Sequence, residues 1–307
     1  MKPFQTYQYL AGTEMTERDK QAVGSNFWNE GKWQNYIAPF LPEDCSEMTF
    51  VDIGCNAGLF LKLAEDRGFS RVVGVDFNEE AVKRGMEWRD KHNGKYKMIC
   101  SRMENCIETL PFADYTVLAN THYYFTINDW LDYLDRLQFK TRYCIIVTAE
   151  KRVKQRCWAS TEILDIEGYF SQWENAGFID ALPTEGDPSP RKLWGLCFKS
   201  HHFERVPVEK LKCVNTMQDG FFTEIEKGIP YQQTDYYRKM KEYRNSRWTE
   251  GHLNRWFEER VKVYQQIKQD GVIKPIIVNS EYLILDGNHK YEMVKDLGFK
   301  TTVVRKT

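Results

Sequence analysis

No excess of either charge marks this chain: 43 Lys and Arg face 44 Asp and Glu over 307 residues. That balance gives no support to a dedicated nucleic-acid or membrane binder. The distribution is slightly uneven, since residues 201–307 hold 19 Lys and Arg against 15 Asp and Glu. This is a mild basic bias, not a polybasic tail. No apolar signal core follows Met1-Lys-Pro-Phe-Gln-Thr-Tyr7, and no apolar run reaches the length of a membrane span. The expectation is a cytoplasmic protein. No C-x-x-C pair occurs among the eight cysteines (Cys45, Cys55, Cys100, Cys106, Cys144, Cys157, Cys197, Cys213), several of which sit inside apolar runs. Such thiols act as small buried hydrophobes and are expected to be reduced. Internal repeats and low-complexity segments are also missing.

What is present is an alternation of short β-rich runs with longer amphipathic segments, the pattern of an α/β domain with a parallel sheet covered on both faces. Strands are expected at 49–53, 71–76, 96–100, 115–120 and 143–148, and helices at 59–67, 79–91, 128–137 and 161–176. The turn-rich loop Thr184-Glu-Gly-Asp-Pro-Ser-Pro190 separates Gly177-Phe-Ile179 from an apolar run at 193–199, so these two runs are expected to pair as a hairpin closing the sheet. Ahead of the first strand, Phe27, Trp28, Trp33, Tyr36 and Phe40 fall at roughly helical spacing. They fit either a helix packed on the sheet edge or a lid over a substrate pocket. A second, smaller α+β unit begins near residue 201, with strands at 206–211, 274–278, 282–285 and 301–305 and helices at 249–270 and 289–297.

The first strand ends in Phe50-Val-Asp-Ile-Gly-Cys-Asn-Ala-Gly58, a small-residue turn that opens a helix. Such a turn presents backbone N–H groups to a ligand carboxylate, and Gly54 and Gly58 let the chain turn tightly. The second strand ends Gly74-Val-Asp76, where a carboxylate can accept hydrogen bonds from ribose hydroxyls. Both features suit a dinucleotide enzyme too, but the G-x-G-x-x-G spacing is absent and Asp52 leads the loop. With these motifs, residues 25–200 resemble the class I S-adenosylmethionine-dependent methyltransferases, with a Rossmann-like seven-stranded sheet. The resemblance implies that Asp52, Gly54, Cys55, Asn56 and Gly58 line the methionine end of S-adenosylmethionine. It implies that Asp76 holds the ribose, that Phe77 and Met103 or Glu104 flank the adenine, and that Asn120 completes the cofactor contacts. Leu110-Pro-Phe-Ala-Asp114 leads into the fourth strand.

The fourth strand ends Asn120-Thr-His-Tyr-Tyr-Phe125. This is neither the Asn/Asp-Pro-Pro-aromatic signature of adenine amino methylation nor a Pro-Cys pair for cytosine attack. His122 suits a general base for a hydroxyl acceptor, with Tyr123 beside it; the alternative is that both only shape the pocket.

In the second unit, Leu285-Asp-Gly-Asn-His-Lys290 lies between a strand and a helix. With Ile273-Lys-Pro-Ile-Ile-Val278 before it and a helix to Gly298 after it, residues 205–307 resemble the chromosome-partitioning ParB and sulfiredoxin superfamily. That resemblance implies a nucleotide or phosphate site at Asp286, Gly287, Asn288, His289 and Lys290, with ATP, ADP or CTP and Mg as candidate ligands. Asn288 stands where sulfiredoxin has cysteine, which argues against peroxiredoxin repair. Lys290 replaces the usual arginine and loses bidentate geometry. Leu211-Lys-Cys-Val-Asn-Thr216 lacks the acidic residue of free-serine kinases, leaving Glu209 or Asp219 as substitutes. No helix-turn-helix follows. The run Tyr236-Tyr-Arg-Lys-Met-Lys-Glu-Tyr-Arg-Asn-Ser-Arg-Trp248 reads as a helix with a solvated charged face, against the alternative of a single-strand nucleic-acid surface. The combined expectation is a bifunctional methyltransferase acting on a small-molecule or carbohydrate hydroxyl, with a nucleotide-binding second domain. The alternative is an RNA methyltransferase with a C-terminal recognition module.

Overall fold

A computed structural model describes residues 30–121, 127–148, 152–154, 163–165, 170, 172–180, 193–214, 217–244, 248–270 and 274–307. Strands β1 (Thr49–Ile53) and β2 (Arg71–Asp76) are almost continuously buried, as expected for parallel strands covered on both faces. They join β3 (Lys97–Cys100), β4 (Ala113–Ala119), β5 (Thr141–Thr148), β8 (Glu174–Ile179) and β9 (Trp194–Lys199) in a seven-stranded sheet of order β3-β2-β1-β4-β5-β9-β8. Five strands run parallel, and β9 is antiparallel to both its neighbours. The hairpin expected to close the sheet is therefore present.

Alternation along the strands divides the core. Phe50, Val72, Val117, Ile145 and Cys197 face one side, where helices α1 (Leu59–Asp66) and α2 (Glu79–Lys91) pack. Val51, Val73, Leu118, Ile146 and Leu196 face the other, beneath α3 (Met103–Cys106) and α4 (Ile127–Leu137). The α2 helix starts cleanly because the Asn78 side chain accepts from the Ala81 N–H, with Glu79 and Glu80 in the first turn and Arg89 and Lys91 in the last.

Two expectations need correction here. Of the helix expected over 161–176, residues 161–162, 166–169 and 171 lie outside the described residues, and the described ones include strand at both ends. There β7 (Ile163–Asp165) pairs with β6 (Arg152–Lys154), and β8 begins at Glu174. Ahead of β8, Phe170 stacks on Phe198 at 4.1 Å and Trp173 closes a turn onto the Phe170 carbonyl. Ladder bonds to β9 then outweigh local propensity. The aromatic segment before β1 also differs: Trp33–Ile37 is a π-helical turn followed by a short 3-10 turn, and it covers a face of the sheet out to the edge strand β8. Trp33 meets Phe50 edge-on at 5.6 Å, and the Phe40 ring fills the space left by Gly177. Within the described part of the segment, Trp33, Tyr36 and Ile37 belong to the core. Phe27 and Trp28 lie outside the described residues. Trp33→Ala should cost about 3–5 kcal/mol, read from denaturant unfolding; a loss under about 1 kcal/mol would contradict this packing role.

The chain divides into Met1–His201 and His202–Thr307. The second unit has a four-stranded sheet, β10 (Phe203–Pro207), β13 (Thr301–Lys306), β11 (Ile276–Val278) and β12 (Ile284–Asp286), in the order β10-β13-β11-β12. The strand expected at 206–211 starts earlier and gives way at Val208 to a 3-10 turn. Helices α5 (Phe221–Glu226), α6 (Asp235–Arg244), α7 (Glu250–Asp270) and α8 (Asn288–Asp296) complete it. Thr249 caps α7 as expected, its Oγ1 accepting from His252 N–H at 3.2 Å. Tyr236, Tyr237 and Met240 of α6 are buried, while Lys239 and Lys241 pair with Asp235 and Glu250. This is the amphipathic helix reading.

Candidate active site

Strand order reverses at β1, whose two neighbours are β2 and β4, so a crevice opens beyond the carboxyl ends of these strands. The loop expected at the methionine end, residues 52–58, lies there. Gly54 takes φ +81, Asn56 +50 and Gly58 +89, a tight loop that delivers the chain into α1. A Cβ on Gly54 would stand 2.8 Å from the Thr121 side chain. Thr121 itself donates its hydroxyl to the Ile53 carbonyl at 2.7 Å, tying the end of β4 to the end of β1. The sequence reading missed Thr121, because nothing local signals this long-range bond.

The loop amides are not all available to a ligand. Gly54 and Cys55 both donate to the Val75 carbonyl, at 2.8 and 3.0 Å, and Asn56 donates to Asp76 Oδ2 at 2.8 Å. The Cys55 thiol is buried against Gly74, and burial with the adjacent carboxylates pushes it well above its ordinary range. Cys55 is thus a packing residue that anchors the loop. Gly85 does similar work from α2: a Cβ there would come within 2.4 Å of the Ala57 carbonyl oxygen. A glycine in the middle of a helix was the signal available for it.

Two carboxylates meet in this crevice in unequal surroundings. Asp76 receives the N–H groups of Asn56 and Asn78, each at 2.8 Å, and of Phe77. Burial raises its pKa and these donors oppose the rise. Asp52 is 1% exposed, and its Oδ2 is buried with no hydrogen-bond partner. Burial, reinforced by the Asp76 charge, pushes Asp52 up to about 8. A buried acceptor without a donor is costly, and such a group marks a place where a ligand donor belongs. At the end of β4, Asn120 holds φ +57 and its Oδ1 is likewise buried without a partner. No lysine or arginine occurs between Asp52 and Phe60. The electrostatics therefore favour a cationic ligand and oppose a pyrophosphate.

Phe77, 37% exposed, follows Asp76 at the end of β2. Met103 belongs instead to the core on the sheet face opposite Asp52, packed with Val51 and Val75, whereas Glu104 is half-buried in the same turn. His122 and Tyr123 lie outside the described residues.

In the second unit Gly287 takes φ +99 and opens α8, leaving Asp286 exposed. Asn288 Oδ1 accepts from the Cys213 thiol at 3.3 Å. His289 turns inward, its Nε2 2.8 Å from the Tyr236 hydroxyl, and burial with Arg260 lowers its pKa to about 4. It is therefore a neutral imidazole at physiological pH. The Lys290 ammonium is half-buried near the Pro275 carbonyl, and burial lowers its pKa.

Among the described residues no group of three or more His, Cys, Asp and Glu is arranged to hold a metal, and no helix is long and apolar enough to cross a membrane. A family model described as a methyltransferase domain matches residues 27–207. The Type II methyltransferase M.VspI of Vibrio sp. (strain 343) is 29% identical over 136 residues, covering 42% of this chain and 32% of that protein. The chain thus matches about a third of that curated relative's length. Among solved structures, the bifunctional kinase-methyltransferase WbdD matches with 18% identity and a TM-score of 0.42, over 67% of this chain and 46% of that one. The magnesium protoporphyrin IX methyltransferase of Synechocystis PCC 6803, with bound SAM, matches with 16% identity and a TM-score of 0.44, over 61% and 86%. These structural likenesses are distant and carry no inference.

Proposed function

Because this chain belongs to the methyltransferase-domain family, we propose that it transfers the methyl group of S-adenosylmethionine to a hydroxyl of a small molecule or sugar. The observation that carries the cofactor assignment is the buried, unpartnered Asp52 oxygen beside Asp76, in a loop without a cation. That pair fits a ligand bearing an ammonium and a sulfonium. Asp52 would accept from the ammonium, Asp76 from the ribose, and Phe77 would cover the adenine. Bound there, S-adenosylmethionine supplies an electrophilic methyl group. The chain's own task is to align the acceptor, a contribution that reaches about 7–11 kcal/mol when geometry is good. His122, just beyond Thr121, takes the hydroxyl proton in this reading, and Asn120 Oδ1 offers an acceptor beside the reaction centre.

The second unit is proposed to bind a nucleotide or another phosphorylated group at the Gly287 turn, where α8 presents its N-terminus. ATP, ADP and CTP are the first ligands to try.

Transfer of labelled methyl from S-adenosylmethionine to a panel of alcohols and amines, with His122→Ala alongside, tests the acceptor class. The expected result is labelling of alcohols that falls about 10²–10⁴-fold in the variant. Labelling confined to amines or to RNA would overturn the hydroxyl reading while leaving the cofactor assignment in place.

A further inference from the structure

Several charged side chains of the second unit sit against a counter-charge: Lys268 on Glu226 and Lys306 on Glu204, both at 2.6 Å, besides the pairs that Arg238, Lys239 and Lys241 of α6 make. Two arginines stand apart. Among the described residues neither Arg244 nor Arg260 forms an ion pair, and the Nε of each is buried without a hydrogen-bond partner. The Arg260 guanidinium lies 3.3 Å from the centre of the Trp256 ring, with Nη1 donating to its own helix at the Trp256 carbonyl. Burial lowers its pKa to about 10, with Glu259 the acidic group that acts on it. Arg244 lies 4.9 Å from the Trp248 ring, and the two tryptophan rings are 5.8 Å apart. Both guanidinia act on the same group, the Tyr236 hydroxyl that meets His289 in the first turn of α8.

A guanidinium nitrogen buried without a partner is costly to keep. His289 is neutral and relieves neither. The nearby acidic group acting on it is Asp286, which is exposed. A planar guanidinium packed against an indole has its N–H fork restrained, which suits contact with phosphate oxygens. The adjoining N-terminus of α8, nine residues long, adds attraction for an anion. A monocarboxylate would leave one guanidinium unmatched, whereas a phosphoryl dianion matches both.

We propose that Arg244 and Arg260 are the charged walls of an anion site that takes the phosphoryl group of a phosphorylated ligand beside the start of α8. This deepens the phosphate reading of the second unit, on which it rests, by placing the recognising charge on α6 and α7 instead of on the turn. The test is calorimetric titration of the full chain with inorganic phosphate and pyrophosphate, comparing Arg244→Met, Arg260→Met, the double variant, Arg260→Lys and Gly287→Ala. Each Met variant should weaken pyrophosphate binding at least tenfold, the double variant should abolish it, and Lys at 260 should restore part of it. Loss only in Gly287→Ala would keep the turn and overturn the arginine site. Binding lost in the arginine variants but intact in Gly287→Ala would keep the arginine site without the turn. Should a variant misfold, tryptophan fluorescence of the unsubstituted protein replaces it. A saturable change on adding pyrophosphate supports the site, and no change up to millimolar concentration overturns it.

Discussion

Asp52→Asn should make the folded protein more stable at pH 8 and at the same time deprive it of S-adenosylmethionine. Asp52 is raised on folding from its usual 3.8 to about 8, so the folded state holds this proton more tightly than the unfolded chain. The stability it contributes is complete below the unfolded value and is lost as pH climbs from about 4 through about 8. Asparagine has the same shape and no proton to lose, so the fall in stability across that window should flatten. Each kcal/mol recovered is worth about 2–4 °C in Tm for a unit of this size. A Tm increase of about 5 °C at pH 8, with little change at pH 4, is the expected result. Affinity for the cofactor should drop about 100-fold or more, near 2.7 kcal/mol. In the unsubstituted protein that affinity should rise with pH and level off above about 8, since a cationic ligand needs Asp52 ionised. A variant that loses stability at pH 8 and keeps its affinity would show that Asp52 is merely a structural acid.

Gly85→Ala should damage cofactor binding from a position on the far side of the loop. Alanine would ordinarily strengthen a helix interior by about 1 kcal/mol. Here the new Cβ meets the Ala57 carbonyl oxygen at 2.4 Å and the Met98 side chain at 2.7 Å. Met98 can adjust, but the carbonyl belongs to backbone, and moving it displaces the turn between Asn56 and Gly58. The expected outcome is a net loss of about 1–3 kcal/mol in stability and at least tenfold in affinity. Stabilisation with unchanged binding would mean that α2 shifts freely and that the loop is not braced through Gly85.

How much of this was legible depended on how local each cause is. β1, β2 and α2 were readable to the residue, because buried parallel strands are continuous apolar runs bounded by glycine, and Asn78 announces a helix start. The strands at 163–165 and from Glu174 were not, since their pairing with β6 and β9 depends on partners that local spacing does not reveal. Asp52, Gly54 and Asp76 were singled out by the motifs that end β1 and β2 and by the resemblance those motifs carry. The asymmetry between the two carboxylates was not, because it depends on which N–H groups the folded loop aims at Asp76. Thr121 and Arg260 were invisible for the same reason: each acts through a partner distant in sequence or through one it lacks.

The most direct test of the central claim is titration of the full chain with S-adenosylmethionine at pH 7, by calorimetry in two buffers of different ionisation heat. Saturable binding to one site, with most of one proton released per cofactor bound, is the predicted result. A folded protein that takes up no cofactor would contradict the methyl-donor assignment, and binding with no proton released would contradict the role given to Asp52.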